Sequence, residues 1–167
     1  MEKGVTVVTL EGRLEYQEFV RNGMAGLGVA TPAEAAQIPV LVLAYVGDAV
    51  YEVYVRAWIA CTKKVPVKQL HKASVTYVSA TAQYQSLLRI SASLTEAEQE
   101  IVRRGRNSKS NSSPKNVNIT EYRHATAFEV LIGYLYLSGQ IERLDELIEI
   151  SFGTENEAVK ENGEKTC

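Results

Sequence analysis

The sequence predicts an all-α fold, and three observations carry that prediction. Long apolar segments recur at helical spacing rather than in alternation. Two Thr-x-x-Glu helix starts, at Thr31–Glu34 and Thr95–Glu98, have the form of capping boxes. No long alternating strand pattern follows residue 12.

The elements follow in order. Val5 to Leu10 is β-prone but short, and a loose chain start is the expectation. Leu14 to Val20 suits a short helix ended by Gly23, Gly26 and Gly28. Thr31 caps the next helix, Pro32 fits its first position, and Glu34 completes the box. Pro39 breaks that segment and opens a long helix from about Val40 to Cys61, with Cys61 expected to be buried at its end. Pro66 opens a helix carrying Val67, Leu70, Ala73, Val75, Tyr77 and Val78 towards Leu88. The second box starts a helix that runs to about Arg104. The stretch GRNSKSNSSPKNVNI, residues 105–119, reads as a loop. A helix from about Glu121 to Ser138 stops at Gly139, and an amphipathic helix covers Ile141 to about Ile150. The expected organisation is a partly flexible extension over 1–35, one domain over 36–150, and an acidic flexible tail over 151–167.

At 167 residues and 46% apolar composition, the chain suits one domain with a real core. A formal net charge of -2 excludes a simple basic nucleic-acid coat. The charge is uneven, however. Residues 103–123 carry Arg103, Arg104, Arg106, Lys109, Lys115 and Arg123 against one acid, Glu121. Lys63, Lys64, Lys68 and Lys72 form a second basic segment. Two cysteines, Cys61 and Cys167, make no disulfide framework, so a cytoplasmic setting is expected. The apolar run from Ile38 to Ala60 is interrupted by Asp48, Glu52 and Arg56, which argues against a membrane span.

Two carboxylates stand inside the apolar helices: Asp48 in LVLAYVGDAVYEVYV and Glu129 in ATAFEVLIGYLYL. A buried carboxylate is costly without a partner, and neither segment offers an obvious lysine or arginine one turn away. If the two acids meet, a cation is a natural way to hold them, and Mg²⁺ needs few protein oxygens because it keeps several waters. Gly47 would let another backbone or a substrate approach Asp48 closely, with Ala44 one turn before it, and Ala125, Thr126 and Gly133 are small neighbours of Glu129 that would leave room for a hydrated ion or a phosphate. Glu52 shares a helix face with Asp48, but Arg56, four residues on, is a ready ion-pair partner for it. Half-exposed acids making ordinary bonds remain the alternative. His71 and His124 have no clustered ligand partners, which makes zinc improbable.

The segment LAYVGDAVYEVYV, Leu43 to Val55, resembles the signature helix of the ribonuclease III class, and most closely its compact Mini-ribonuclease III branch. LHKASVTYVSATAQ at 70–83, RRGRNSKS at 103–110 and YRHATAFEVLIGYLYLSG at 122–139 carry the same resemblance, in order, over roughly residues 38–150. It implies a ribonuclease III-type helical endonuclease domain that acts on double-stranded RNA with Mg²⁺. It further implies a homodimer that trims the ends of the 23S ribosomal RNA precursor and leaves 5′-phosphate and 3′-hydroxyl ends. By the same resemblance Asp48 and Glu129 are the essential acids and metal ligands. The broader class has further acids where this chain has Ala44 and Thr126, so a two-metal site is not implied.

Glu52 is then a candidate for orienting a water around the ion. Arg103, Arg104, Arg106, Lys109 and Lys115 are candidates for binding RNA, since each phosphate contact adds salt-sensitive affinity. The pattern contains no accessory RNA-binding domain, so a ribosomal protein that presents the substrate is a further expected partner. The competing function is a non-catalytic helical RNA-binding or ribosome-assembly factor on the same scaffold. That alternative would need the basic surface but not the acidic pair.

Overall fold

The computed structural model describes residues 30–62, 66–108 and 118–153. The β-prone run at 5–10, the helix expected at 14–20, most of the 105–119 loop and the acidic tail beyond residue 153 lie outside the described residues; residues 151 and 152, expected in the tail, belong to the last helix. Seven α-helices occur among the described residues: α1 Pro32–Ala35, α2 Val40–Thr62, α3 Val67–Val78, α4 Ala80–Ile90, α5 Glu96–Arg106, α6 Ile119–Leu137 and α7 Ile141–Phe152. One 3₁₀ turn, Ser91–Ser93, joins α4 to the segment before α5.

Both capping boxes form. Thr31 and Glu34 close the first, and Thr95 and Glu98 close the second. The helix expected from Pro66 to Leu88 is in fact two. Ser79 takes an extended backbone (ψ 153°), and its hydroxyl accepts a hydrogen bond from the Ala82 N–H, so it ends α3 and caps α4. Serine competes for backbone partners in this way, which is why it breaks a helix that contains neither Gly nor Pro. α6 begins at Ile119, earlier than expected, because the Asn118 side chain accepts from the Thr120 N–H. Gly139 (φ 70°) follows α6, and Gly153 (φ 63°) ends α7.

α6 is the axis of the fold. From Ala125 to Leu135 every residue except Glu129 is buried, so this helix is covered on all sides. α2, α4 and α5 pack around it, and α7 closes the layer against α4 and α6. The core joins Leu43, Tyr51, Val55 and Ile59 of α2 to Phe128, Leu131 and Leu135 of α6 and to Leu144 and Leu147 of α7. Each such side chain, fully buried, stabilises the fold by about 1.5–3 kcal/mol relative to exposure. Tyr51 meets Phe128 edge to face, with ring centroids 4.9 Å apart.

The buried stripe of α2 runs through Leu43, Gly47, Tyr51, Val55 and Ile59. Cys61 is out of phase with that stripe and is exposed, contrary to the expectation of burial.

Polar side chains tie the helix ends together. Arg143 of α7 donates to both Glu98 oxygens (2.8 and 2.9 Å) and to the Ser93 carbonyl (2.6 Å). Arg89 donates to the Ser151 carbonyl at 2.9 Å, and the Tyr54 hydroxyl donates to Asp145.

α2 and α6 cross at two glycines. A Cβ on Gly47 would lie 1.8 Å from the Glu129 carbonyl oxygen, and one on Gly133 would lie 2.0 Å from the Leu43 carbonyl oxygen. Only residues without a Cβ allow backbones to approach this closely. The crossing puts residue 48 of α2 beside residue 129 of α6.

Candidate active site

Asp48 and Glu129 converge at this crossing, although they lie far apart in the chain. Asp48 follows Gly47 at an exposed position, and Glu129 is partly buried on the same side of the α2–α6 contact. The proximity shows in their acidity. Burial and the Asp48 charge push the Glu129 carboxyl up to about 7. Partial burial and then the Glu52 charge raise Asp48 above the ordinary aspartate range. In both cases the amide of Gln83, on α4, favours the ionised form and opposes the rise.

Among the described residues neither carboxylate is ion-paired, as the sequence suggested. Glu52 is paired: Arg56 donates to it at 2.6 Å, one turn along α2. Glu52 is therefore near enough to act on Asp48 by charge while its own carboxylate is held by the arginine.

The neighbours are small, but they do not all leave space. Thr126 and Ala44 are buried beside the pair. At Gly47 it is another backbone that approaches, through the Glu129 carbonyl, one of the two approaches the sequence allowed; the gap at Gly133, expected to admit an ion or a phosphate, is filled by the Leu43 carbonyl. These glycines bring the helices together and do not line a cavity.

The donor set fits a hard divalent cation. It consists of carboxylate oxygens that have no basic partner among the described residues and whose proton affinity is raised by burial and then by neighbouring carboxylate charge. Among the described residues no group of three or more His, Cys, Asp and Glu side chains forms that could hold a metal ion.

The basic residues divide. Arg103 is held by Glu100 through two bonds of 2.7 Å. Arg104 turns inward and donates to the Ala36 carbonyl at 2.6 Å, joining α5 to the end of α1. Arg106 is exposed and, with Arg103 and His124, lines an open groove floored by Leu87 and Leu88. Lys109 and Lys115 lie outside the described residues. His124 uses Nδ1 on the Thr120 carbonyl at 2.7 Å and stacks edge-on to Tyr84.

Sequence reasoning missed Gln83. Its signal was an amide in phase with the buried Leu87 and Ile90 of α4, where an apolar residue is the rule.

α2 also carries an apolar stripe on its outer side. Leu41, Val42, Tyr45 and Val53 are exposed, Tyr45 at 81% and Val53 at 65%. No helix among the described residues is long and apolar enough to cross a membrane.

The ribonuclease III domain family model matches residues 41–140. The chain is 55% identical over 111 residues to the Mini-ribonuclease 3 of Thermoanaerobacter sp., which covers 66% of this chain and 78% of that protein. It is 54% identical over 112 residues to the Mini-ribonuclease 3 of Brevibacillus brevis, covering 67% and 84% respectively. The crystal structure of protein FN1578 from Fusobacterium nucleatum superposes with a TM-score of 0.64 at 29% identity, covering 71% of this chain and 95% of that one.

Proposed function

The chain belongs to the Mini-ribonuclease III family of the ribonuclease III class, and on that premise we propose that Asp48 and Glu129 are the catalytic pair of a Mg²⁺-dependent double-stranded-RNA endoribonuclease. The observation that carries this reading is the convergence, at the Gly47–Gly133 crossing, of two carboxylates that have no ion-pair partner among the described residues. A basic partner would have neutralised them. Their absence from the ion pairs among the described residues leaves both carboxylates open to a divalent cation, which would take the place of the proton on Glu129.

Asp48 and Glu129 would hold Mg²⁺ through carboxylate oxygens. When bound, the ion supplies charge neutralisation at the scissile phosphate and activation of the attacking water. The residues supply the rest. α2 and α6 hold the two acids at a separation fixed by backbone contact. Glu52, itself held by Arg56, adds negative charge beside Asp48 and would orient a water there. Arg106 and the lysines at 109 and 115 provide positive charge for RNA phosphates. Hydrolysis leaves a 5′-phosphate and a 3′-hydroxyl, and the substrate in the cell is the 23S ribosomal RNA precursor, with a ribosomal protein presenting it.

The exposed stripe of α2 fits a second copy of the chain. A two-fold pairing through Tyr45 and Val53 would cover apolar surface that a monomer leaves in water, and it matches the two strands of a duplex with two sites. The working enzyme is thus a cytoplasmic homodimer. The domain boundaries are 36–150 for the catalytic unit, with an extension before it and an acidic tail after it.

The test is cleavage of duplex RNA with Mg²⁺ by wild type, Asp48→Asn and Glu129→Gln. Both variants are expected to fold and bind RNA but not to cut. Normal cutting by both would remove the site, and RNA binding without cleavage by wild type would favour the non-catalytic RNA-binding or assembly factor.

A further inference from the structure

α4 packs on α6 and meets α2 where the Ser86 and Tyr51 hydroxyls lie 3.4 Å apart; Gln83 and Asp48 each stand three residues before that contact, on the helices that bracket the two carboxylates. The side chain is 1% exposed, among the most completely buried in the molecule. Its backbone N–H is already used by the Ser79 carbonyl, at 2.9 Å. The side chain continues the stripe of Leu87 and Ile90, so an amide stands where a leucine would pack. A buried amide needs polar company. Gln83 finds it in Asp48 of α2 and Glu129 of α6.

We propose that Gln83 is a positioning residue for RNA cleavage, its amide N–H₂ steadying Asp48 and Glu129 together from inside the helix layer and leaving their outward oxygens for the cation. The inference rests on the reading of Asp48 and Glu129 as the metal-holding pair.

The residue type fits the task. An amide nitrogen carries two donors, one for each carboxylate, and an ionised carboxylate accepts at several sites, so one bond from Gln83 does not exclude a metal. A lysine or arginine at position 83 would neutralise the pair and compete with the cation. A third acid would add repulsion. Glutamine organises the pair at no cost to its negative charge. The break at Ser79 contributes: it restarts the helix one turn before Gln83 and so sets the direction in which α4 delivers the amide.

The test uses the full chain and the variants Gln83→Leu, Gln83→Glu and Asp48→Asn. Metal binding is read by titrating Mn²⁺ and Mg²⁺ into protein without RNA, and cleavage is read across Mg²⁺ concentration. For Gln83→Leu, metal affinity is expected to weaken 10–100-fold, and the Mg²⁺ midpoint for cleavage to rise in step. Excess Mg²⁺ should restore cutting, and RNA affinity in EDTA should be unchanged. A metal affinity and a Mg²⁺ midpoint both within twofold of wild type would overturn the proposal.

Should Gln83→Leu fail to fold, Gln83→Glu decides. A third carboxylate at this place should widen the gap between the Tm in Mg²⁺ and the Tm in EDTA, up to making folding depend on the metal. A gap equal to that of wild type would overturn the proposal. Asp48→Asn separates the two readings. If it binds metal and cuts, the carboxylate pair itself is misassigned. If it is inert while Gln83→Leu behaves as wild type, only the role of Gln83 falls.

Discussion

Gly47 and Glu129 meet backbone to backbone, with room for no side-chain atom between them: a Cβ at position 47 would stand 1.8 Å from the Glu129 carbonyl oxygen. In an ordinary exposed helix, Gly→Ala stabilises by about 1 kcal/mol. Here the sign should reverse. Gly47→Ala and Gly133→Ala are each expected to lose roughly 1–3 kcal/mol or more in a urea unfolding titration, because the helices must part. Cleavage should fall further than stability, since parting α2 from α6 separates Asp48 from Glu129. A rise in stability for either alanine would refute the close crossing.

Stability should depend on pH through Glu129. Its carboxyl, ordinarily at 4.5, titrates at about 7 in the folded chain. The folded state therefore holds a proton that the unfolded state has already lost between those values. The contribution is fully present below 4.5 and disappears as pH rises through 7. In EDTA, the Tm of wild type should fall by several degrees from pH 5 to pH 8, at about 2–4 °C per kcal/mol for a chain of this size. Glu129→Gln should flatten that decline, and thermal melts across the range would show it. A parallel decline in both proteins would dissociate the effect from this carboxyl.

The arginines of α5 should separate by role. Arg106 is exposed, whereas Arg104 is bonded to the Ala36 carbonyl. Arg106→Ala is expected to weaken RNA binding and reduce the salt slope by about 1. Arg104→Ala should instead lower stability, by about 1–3 kcal/mol, for loss of a charged hydrogen bond. Binding measured at several salt concentrations, alongside chemical denaturation, distinguishes the two. Equal salt slopes in Arg106→Ala and wild type would remove Arg106 from the RNA surface.

The bare stripe of α2 gives a prediction about assembly. Tyr45→Glu or Val53→Glu places a charge in the centre of the stripe, and either should convert a dimer to a monomer in light scattering while leaving the fold intact by circular dichroism. A wild-type chain that is monomeric at micromolar concentration would end the pairing proposal.

Much of this fold was legible because its signals are local. The two capping boxes, the stop at Gly139 and the helical phase of α2 are properties of a few adjacent residues. The cost argument singled out Asp48 and Glu129 as acids in need of company, but whether the two meet was open in the sequence, because it depends on how α2 crosses α6. What escaped was set by tertiary packing. Ser79 divides α3 from α4 without Gly or Pro, by an ordinary serine hydroxyl whose choice between capping and solvent is made by where the next helix must lie. Gln83 carries no charge to flag it. Gly47 read as room for a backbone or a substrate, and Gly133 as room for an ion or a phosphate; only the opposing helix reveals that carbonyls fill both.

The backbone seat between α2 and α6 also constrains redesign. The gap between the two acids is set by two rods in contact, so it is insensitive to which rotamers the surrounding surface adopts. On the proposed reading, groups that face RNA, such as Arg106, can be exchanged to retune which duplexes are favoured without detuning the cutting distance. Positions 47 and 133 are different: a single methyl at either changes the spacing itself, so a library seeking new sequence preference should vary the rim and leave that pair alone.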